Sequence, residues 1–335
     1  MLAELPQIIL TQPESWKLGA NLALTTNLGN IAPFTLVLIK FFYRKHEFNS
    51  VPINYVVIEY TNTIFLGESF SFILPSLLTI AQGNGRLHCI EAINGTNKTE
   101  AIYQPPRFSV SIYFLCLFLI LTISLISFVL LRWTTITRNA YHTESETSLE
   151  IIDTIYSQPK SLTTPSYILL SLLCSYISSV VFGFLLAISS YALMPYGHKI
   201  FYLGTIISPW MLTIVWALGM IKPVLRQRYV YILITLGSIT FAFSMYVALK
   251  SPCPPWVDTT KGSVLILFVW FITYIFLGYP RLVIANYARR HSPNGMFWFG
   301  VQVQCGSLMG SIASYLMVEN FALFHERRPC ERIAC

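Results

Sequence analysis

The chain has 335 residues, of which 54% are hydrophobic and only 11% are charged, and its mean hydropathy is +0.59. A soluble protein of this composition could not cover its apolar surface with polar side chains, so that class is excluded. The net charge of +7 could suggest nucleic-acid binding. The basic residues are spread through the loops between apolar runs, however, which is typical of membrane topology and not of a nucleic-acid surface.

Long apolar runs, nearly free of charge and broken by short polar loops, follow one another along the chain. About 20 apolar residues in helical form cross the hydrocarbon core of a bilayer. The runs do not alternate as barrel strands do, and helices satisfy their own backbone in lipid. We therefore predict an all-α polytopic membrane protein with about eight transmembrane helices. The predicted spans are residues 18–42, 65–81, 110–131, 167–191, 200–221, 229–249, 264–285 and 296–321.

Orientation is predicted from one outer loop and from the basic residues. Asn94 and Asn97 each begin an N-glycosylation sequon in the loop between the second and third spans, which indicates that this loop is extracellular. Basic clusters around Lys40, Arg132 and Arg289 then flank the inner ends of spans, as the positive-inside bias prefers.

The longest inner loop divides the chain. It is rich in Ser, Thr and acidic residues, which favours a flexible cytoplasmic linker at 133–165. Residues 1–132 then form an N-terminal bundle of three spans. Residues 166–335 form a C-terminal bundle of five spans with an extracellular tail.

Polar residues inside the spans are the candidates for a binding site, because polar groups in hydrocarbon are costly. Asn27 and Asn30 share one helical face, and Glu68 and Gln82 also share one, near opposite ends of their span. Membrane amides either bond a neighbouring helix or contact a ligand, and both roles stay open for Asn27, Asn30 and Gln302. Glu68 either faces a wet cavity or a partner, or marks a helix end at the inner boundary.

Two other features of the late spans have structural interpretations. Arg281 is predicted to be a boundary residue that snorkels to the headgroups, and the alternative is a ligand contact. Gly306 and Gly310 match the small-xxx-small motif of close helix packing.

The sequence lacks the motifs of zinc hydrolases, serine esterases, phosphate-binding loops and dithiol redox sites. We therefore expect neither an enzyme nor a bound cofactor. Since Glu68 is the one strong candidate for a buried proton carrier, the spans favour a neutral polar ligand.

The cysteines divide into two groups. Cys116, Cys174 and Cys305 lie inside predicted spans and are interpreted as packing residues. The other four fall in segments predicted to be extracellular, and three pairings of them stay open on sequence alone. They are Cys89, Cys253, Cys330 and Cys335.

Several short stretches resemble one family, the eukaryotic solute-carrier riboflavin transporters. Asn30-Ile-Ala-Pro33 is similar to part of the family's opening, and the block from Gly67-Glu68 to Gly83-Asn84-Gly85 is similar to its most recognisable segment. Ser251-Pro252-Cys253-Pro254 and the stretch from Val303 to Gly310 resemble its later signatures. The matches keep their order across most of the chain.

The resemblance implies a fold, an activity and a site. Family members carry eleven helices arranged like the major-facilitator and equilibrative nucleoside transporters, and they move riboflavin across the plasma membrane without sodium coupling. The family pattern would also join Cys253 to Cys330. A neutral planar flavin suits amides, a carboxylate and aromatic faces. The implied contacts are Asn30, Glu68, Gln82 and Gln304, with Asn27 and Tyr279 as weaker choices.

The chain departs from the family pattern. The family's first helix and about two further helices have no counterpart, the second gap falling near residues 59–62. We therefore expect an incomplete two-bundle arrangement in the lipid bilayer, working as a riboflavin transporter by alternating access. The alternative is a non-transporting truncated isoform, or a membrane receptor or partner protein that binds flavin or an intact carrier without flux.

Overall fold

The computed structural model describes residues 15–29, 73–83, 87–91, 99–103, 107–133, 164–221, 226–291 and 295–326. Every predicted span is helical over the part that is described, which confirms a helical polytopic membrane protein. By length and composition, four helices among these residues can cross a bilayer. They are Pro165–Tyr196, His198–Leu218, Gln227–Leu249 and Thr260–Ala288.

The first part of the chain contributes three helices. A short 3-10 turn, Ser15–Lys17, leads into α1 (Leu18–Gly29), and α2 (Ile73–Gln82) and α3 (Val110–Trp133) follow. The apolar side chains on most of α3 are exposed, as expected of a helix that faces lipid.

A small hairpin that the sequence did not predict lies in the loop between α2 and α3, which is predicted to be extracellular. Strand β1 (Leu87–Glu91) pairs antiparallel with β2 (Thr99–Tyr103). Leu87 faces Tyr103, and Glu91 faces Thr99. Asn94 and Asn97 fall between the strands and lie outside the described residues.

The second part begins with a long helix that changes its pitch. Helix α4 (Thr164–Ser178) passes through a π-helical segment (Ser179–Phe184) into α5 (Leu185–Leu193), and a 3-10 turn (Met194–Tyr196) ends the run. The remaining helices are α6 (His198–Ile221), α7 (Gln227–Leu249), α8 (Thr260–His291) and α9 (Gly295–Tyr315), the last followed by a π-helical turn (Leu316–Asn320).

Glycines allow α4 and α9 to cross at close range. A methyl group added at Gly306 would overlap the backbone oxygen of Ser175, and one at Gly310 would overlap that of Ser179. Gly183 of the π-helical segment lies against the Gly310 backbone in the same way. The small-xxx-small prediction is therefore confirmed, and larger side chains would push the two helices apart.

Helices from the first part pack directly on helices from the second. Helix α1 lies against α5 and α9. Helix α2 is tied to α6, because Ser76 Oγ donates a hydrogen bond to the Ile206 carbonyl at 2.9 Å and accepts one from Trp210 Nε1 at 2.9 Å. Most of the linker at 133–165 lies outside the described residues, so the division at that loop stays a prediction.

Candidate functional site

A polar stripe on α9 forms one side of the junction between the two parts of the chain. Gln304, Ser307, Ser311 and Ser314 are three or four residues apart, so they share one face of the helix. The three serines are at most 3% exposed, and Gln304 is half-buried. A face of this kind holds polar groups in the protein interior and away from lipid.

Asn27 meets this stripe from α1. Its side-chain nitrogen donates to Ser311 Oγ at 2.7 Å and to the carbonyl of Ala23, one turn earlier in α1, at 2.9 Å. Asn27 is only 6% exposed. The amide thus bonds a neighbouring helix, which is one of the two roles expected for it, while its contact with a ligand stays a prediction.

An aromatic cluster lies beside this junction, at the start of α1. The ring of Tyr191 lies 5.6 Å from that of Trp16 and 5.2 Å from that of Phe324, measured between ring centres. All three side chains are buried, and Ser190 Oγ donates to the Trp16 carbonyl at 2.9 Å. The contacts hold the start of α1 against α5.

Arg281 lies inside the bundle, which corrects the prediction that it snorkels. It is 6% exposed, and its guanidinium carbon lies 4.8 Å from the ring centre of Phe182 and 5.7 Å from that of Trp216. The prediction was wrong because α8 continues to His291, ten residues beyond Arg281, so this residue is not at the helix end. Sequence reasoning also missed Phe182 and Trp216. The signal that could have placed Arg281 in the interior is the apolar Leu-Val-Ile that directly follows it in the sequence.

Phe182 connects the buried cation to the junction. Its carbonyl accepts a long hydrogen bond, 3.5 Å, from the Asn27 side chain. It belongs to the π-helical segment, and such segments are frequent at functional sites. Three separate signals, an interhelical amide, a π-helical segment and a buried cation, thus meet around one residue.

Gln82 lies at a different place, the C-terminal end of α2. The side chain is fully buried, and its nitrogen donates to the Phe108 carbonyl at 3.1 Å. Its oxygen, Oε1, has no hydrogen-bond partner among the described residues. A buried acceptor without a donor is a candidate contact for a polar ligand.

The structure therefore brings together only part of the predicted set. Asn27 and Gln304 lie on facing helices, whereas Gln82 contacts the start of α3 and Tyr279 is half-buried against the core from α8. Asn30 and Glu68 lie outside the described residues.

A small cavity lies between α4, α8 and α9, with a volume of about 10 Å³. That is room for about one water molecule. Its polar and aromatic lining includes Ser171, Gln302, Tyr287 and Phe299. A flavin could enter only after these helices had moved apart.

The outer cysteines are described in part. Cys253 is disulfide-bonded. Its expected partner, Cys330, lies outside the described residues, so that pairing stays a prediction. Cys116, Cys174 and Cys305 carry free thiols within the helices.

Comparison with known proteins gives one family. Residues 54–326 match the family described as solute carrier family 52, riboflavin transporter. The chain is 26% identical over 310 residues to riboflavin transporter member 3-A of Danio rerio, covering 81% of this chain and 68% of that protein. It is 28% identical over 302 residues to member 2 of Sus scrofa, covering 81% and 67%. No solved structure matches the chain.

The alignment with a human relative, riboflavin transporter member 3, shows that the two chains differ in length. It is 21% identical, and the alignment covers 98% of this chain and 93% of that protein. The alignment runs over 439 positions, whereas this chain has 335 residues. The human protein therefore contains segments that have no counterpart here.

Proposed function

Because this chain belongs to the riboflavin transporters of solute carrier family 52, we propose that it carries riboflavin across the plasma membrane by alternating access, without sodium coupling. The family is one of transporters and not of enzymes. The observation that carries the proposal is the family match over residues 54–326.

The proposed binding site uses amides, one carboxylate and aromatic rings. Asn30, Glu68, Gln82 and Gln304 are the proposed contacts, with Tyr279 as a weaker one. The unsatisfied Oε1 of Gln82 supports an acceptor role there, since the flavin ring has an N–H to donate. Gln304 is supported by its place on the buried polar stripe of α9.

Asn27 is a weaker contact in this proposal, because its amide already holds Ser311 at 2.7 Å. It would reach a ligand only in a state in which α1 has moved from α9. We assign it first to closing the junction between the two parts of the chain.

Alternating access is supported by the way the two proposed bundles, 1–132 and 166–335, meet. The junctions α1–α9 and α2–α6 include hydrogen bonds made by small side chains such as Ser311 and Ser76. Rocking of one bundle against the other would break and remake a limited set of hydrogen bonds. The cluster of Trp16, Tyr191 and Phe324 is the proposed closed outer side.

A plasma-membrane location is supported by the outer loops. The sequons at Asn94 and Asn97 fall in the sequence between the two paired strands of the hairpin, and an oligosaccharide there would require an extracellular loop. The disulfide at Cys253, proposed to join Cys330, suits the oxidising outer side.

The test is uptake of radiolabelled riboflavin by cells that express the chain. Surface biotinylation measures how much protein reaches the plasma membrane, and sodium replacement by choline tests the coupling. Uptake above that of mock-transfected cells, unchanged in choline, is expected. Uptake equal to the mock level despite surface delivery would refute transport.

The length difference from the human relative favours a second candidate, a membrane protein that binds flavin or an intact carrier without flux. A bundle that lacks helices has fewer walls to close around a substrate. Riboflavin binding without uptake, or co-purification with an intact family member, would support this candidate.

A further inference from the structure

We propose that Arg281 determines flavin specificity in this chain by binding the carbonyl edge of the isoalloxazine ring with its guanidinium. This inference rests on the proposed riboflavin transport, and it names the side chain that would recognise the flavin ring. It begins from the charge, because an ionisable residue in the interior of a membrane bundle marks a functional site more often than a packing position.

The first step is the burial of Arg281. The residue is 6% exposed and lies within the stretch of α8, Thr260–Ala288, that is long and apolar enough to cross a bilayer. Since arginine keeps its proton in proteins, the positive charge persists in this interior. Such a charge favours electron-rich groups nearby.

The second step is the pair of aromatic faces beside it. Phe182 comes from the π-helical segment and Trp216 from α6, with ring centres 4.8 Å and 5.7 Å from the guanidinium carbon. Aromatic rings compensate the charge through their faces. Planar aromatic side chains are also the groups on which a planar ring such as isoalloxazine stacks.

Arg281 also lies close to the junction between the two parts of the chain. Phe182 is bonded through its carbonyl to Asn27 of α1, so the guanidinium is one side chain away from the junction between the two parts of the chain. Ile284, one turn after Arg281 in α8, lines the small cavity between α4, α8 and α9. Arg281 thus contacts a residue of the junction and lies one turn from a residue that lines the cavity.

The last step is the chemistry of the ligand. The isoalloxazine ring is uncharged at neutral pH and carries carbonyl oxygens at C2 and C4 in its plane. Each carbonyl oxygen lies beside an acceptor ring nitrogen, O2 beside N1 and O4 beside N5, and a guanidinium presents N–H donors in a planar fork that fits such a pair. Lysine supplies the charge without the fork, so the two side chains are distinguishable in function.

The experiment measures riboflavin uptake by wild type, Arg281→Gln and Arg281→Lys, normalised to surface protein. Arg228→Gln is the matched control, because Arg228 is exposed near the start of α7. Losing a charged hydrogen-bond donor predicts a KM about 10- to 100-fold higher in Arg281→Gln, with a maximal rate within about twofold. The KM of Arg281→Lys should fall between those of wild type and Arg281→Gln, and the KM of Arg228→Gln should match that of wild type.

A second readout uses 2-thioriboflavin and 4-thioriboflavin as competitors, since sulfur accepts hydrogen bonds more weakly than oxygen. Wild type should prefer riboflavin to at least one analogue, and this preference should shrink toward unity in Arg281→Gln. Unchanged KM and unchanged preference in Arg281→Gln would overturn the proposal. If that variant does not reach the surface, Arg281→Lys decides on the same readouts, and loss of surface delivery in both variants shows a folding role and also overturns it.

Failure of the proposed transport can be distinguished from failure of the Arg281 proposal. If wild type itself shows no uptake, transport is refuted, and equilibrium binding of radiolabelled riboflavin to the purified variants tests Arg281 separately. A dissociation constant that is the same for wild type and Arg281→Gln, or no binding by wild type, then overturns the inference.

Discussion

The Lys17 ammonium lies 3.0 Å from a carboxylate oxygen of Glu319, so a salt bridge joins the start of α1 to the π-helical turn after α9. The two residues are 302 positions apart in the chain. Their side chains are 43% and 23% exposed, so the pair lies at the rim of the junction. The salt bridge and the aromatic cluster of Trp16, Tyr191 and Phe324 lie at the same end of α1.

Reversing one charge of this pair should weaken the contact between the start of α1 and the π-helical turn after α9. Lys17→Glu should lower the free energy of unfolding by only about 0.2–1 kcal/mol, because partly exposed pairs are screened by water. The double variant with Glu319→Lys should recover the loss. Thermal unfolding of the purified variants in detergent measures both, and Lys261→Glu, at an exposed position early in α8, controls for the change in net charge. A double variant less stable than either single variant would contradict the pairing.

The hydrogen bond between Asn27 and Ser311 should be detectable as coupling. Interhelical hydrogen bonds in membrane proteins contribute on average about 0.6 kcal/mol, because the unfolded chain in the membrane also finds partners. A double-mutant cycle of Asn27→Ala and Ser311→Ala should give a coupling energy of that size, measured by unfolding in denaturing detergent. Additive effects of the two substitutions would show that the contact at 2.7 Å contributes nothing.

The helices of this chain could be predicted from sequence because a bilayer requires about 20 apolar residues per span, and few other structures have that pattern. The residues at which the helices begin and end could not be predicted in this way. The predicted span 264–285 ends where hydrophobicity falls, yet α8 runs from Thr260 to His291, about 48 Å at 1.5 Å per residue. Helices that protrude from lipid are stabilised by their neighbours and not by their own hydrophobicity. The error over Arg281 follows from this.

The π-helical segment had no local signal in the sequence. Its position coincides with the close approach of Gly183 to Gly310, a contact between residues far apart in the chain. Of the predicted site residues, Asn27 and Gln82 could be recognised because buried amides are rare in spans. Which helix each one faces depends on packing, and periodicity alone does not give it.

A side chain at Gly310 should separate α4 from α9. In Gly310→Ala the added methyl group overlaps the Ser179 backbone, and overpacking of this kind destabilises by about 1–3 kcal/mol. Gly300→Ala is the matched control on the same helix, since a methyl group there meets nothing within 4 Å. Thermal unfolding and surface delivery should be impaired in Gly310→Ala and preserved in Gly300→Ala. Equal behaviour of the two variants would mean that the helices do not approach as described.

The hairpin should carry oligosaccharides if its loop is extracellular. Replacing Asn94 and Asn97 by Gln, singly and together, should increase electrophoretic mobility in steps, and a peptide N-glycosidase should abolish the differences. Asn84→Gln is the control, because Asn84 precedes Gly-Arg and is not a sequon. Mobility that none of these treatments changes would argue against modification of this loop and would remove its support for the orientation.

The central claim is that this chain by itself moves riboflavin from one side of a bilayer to the other. Counterflow into proteoliposomes made from the purified chain tests it without help from other carriers in a cell. Vesicles loaded with unlabelled riboflavin should transiently accumulate external radiolabelled riboflavin well above the amount of protein present, and empty liposomes should not. Label retained only in proportion to the protein, with no transient excess, would show binding without flux and contradict the account.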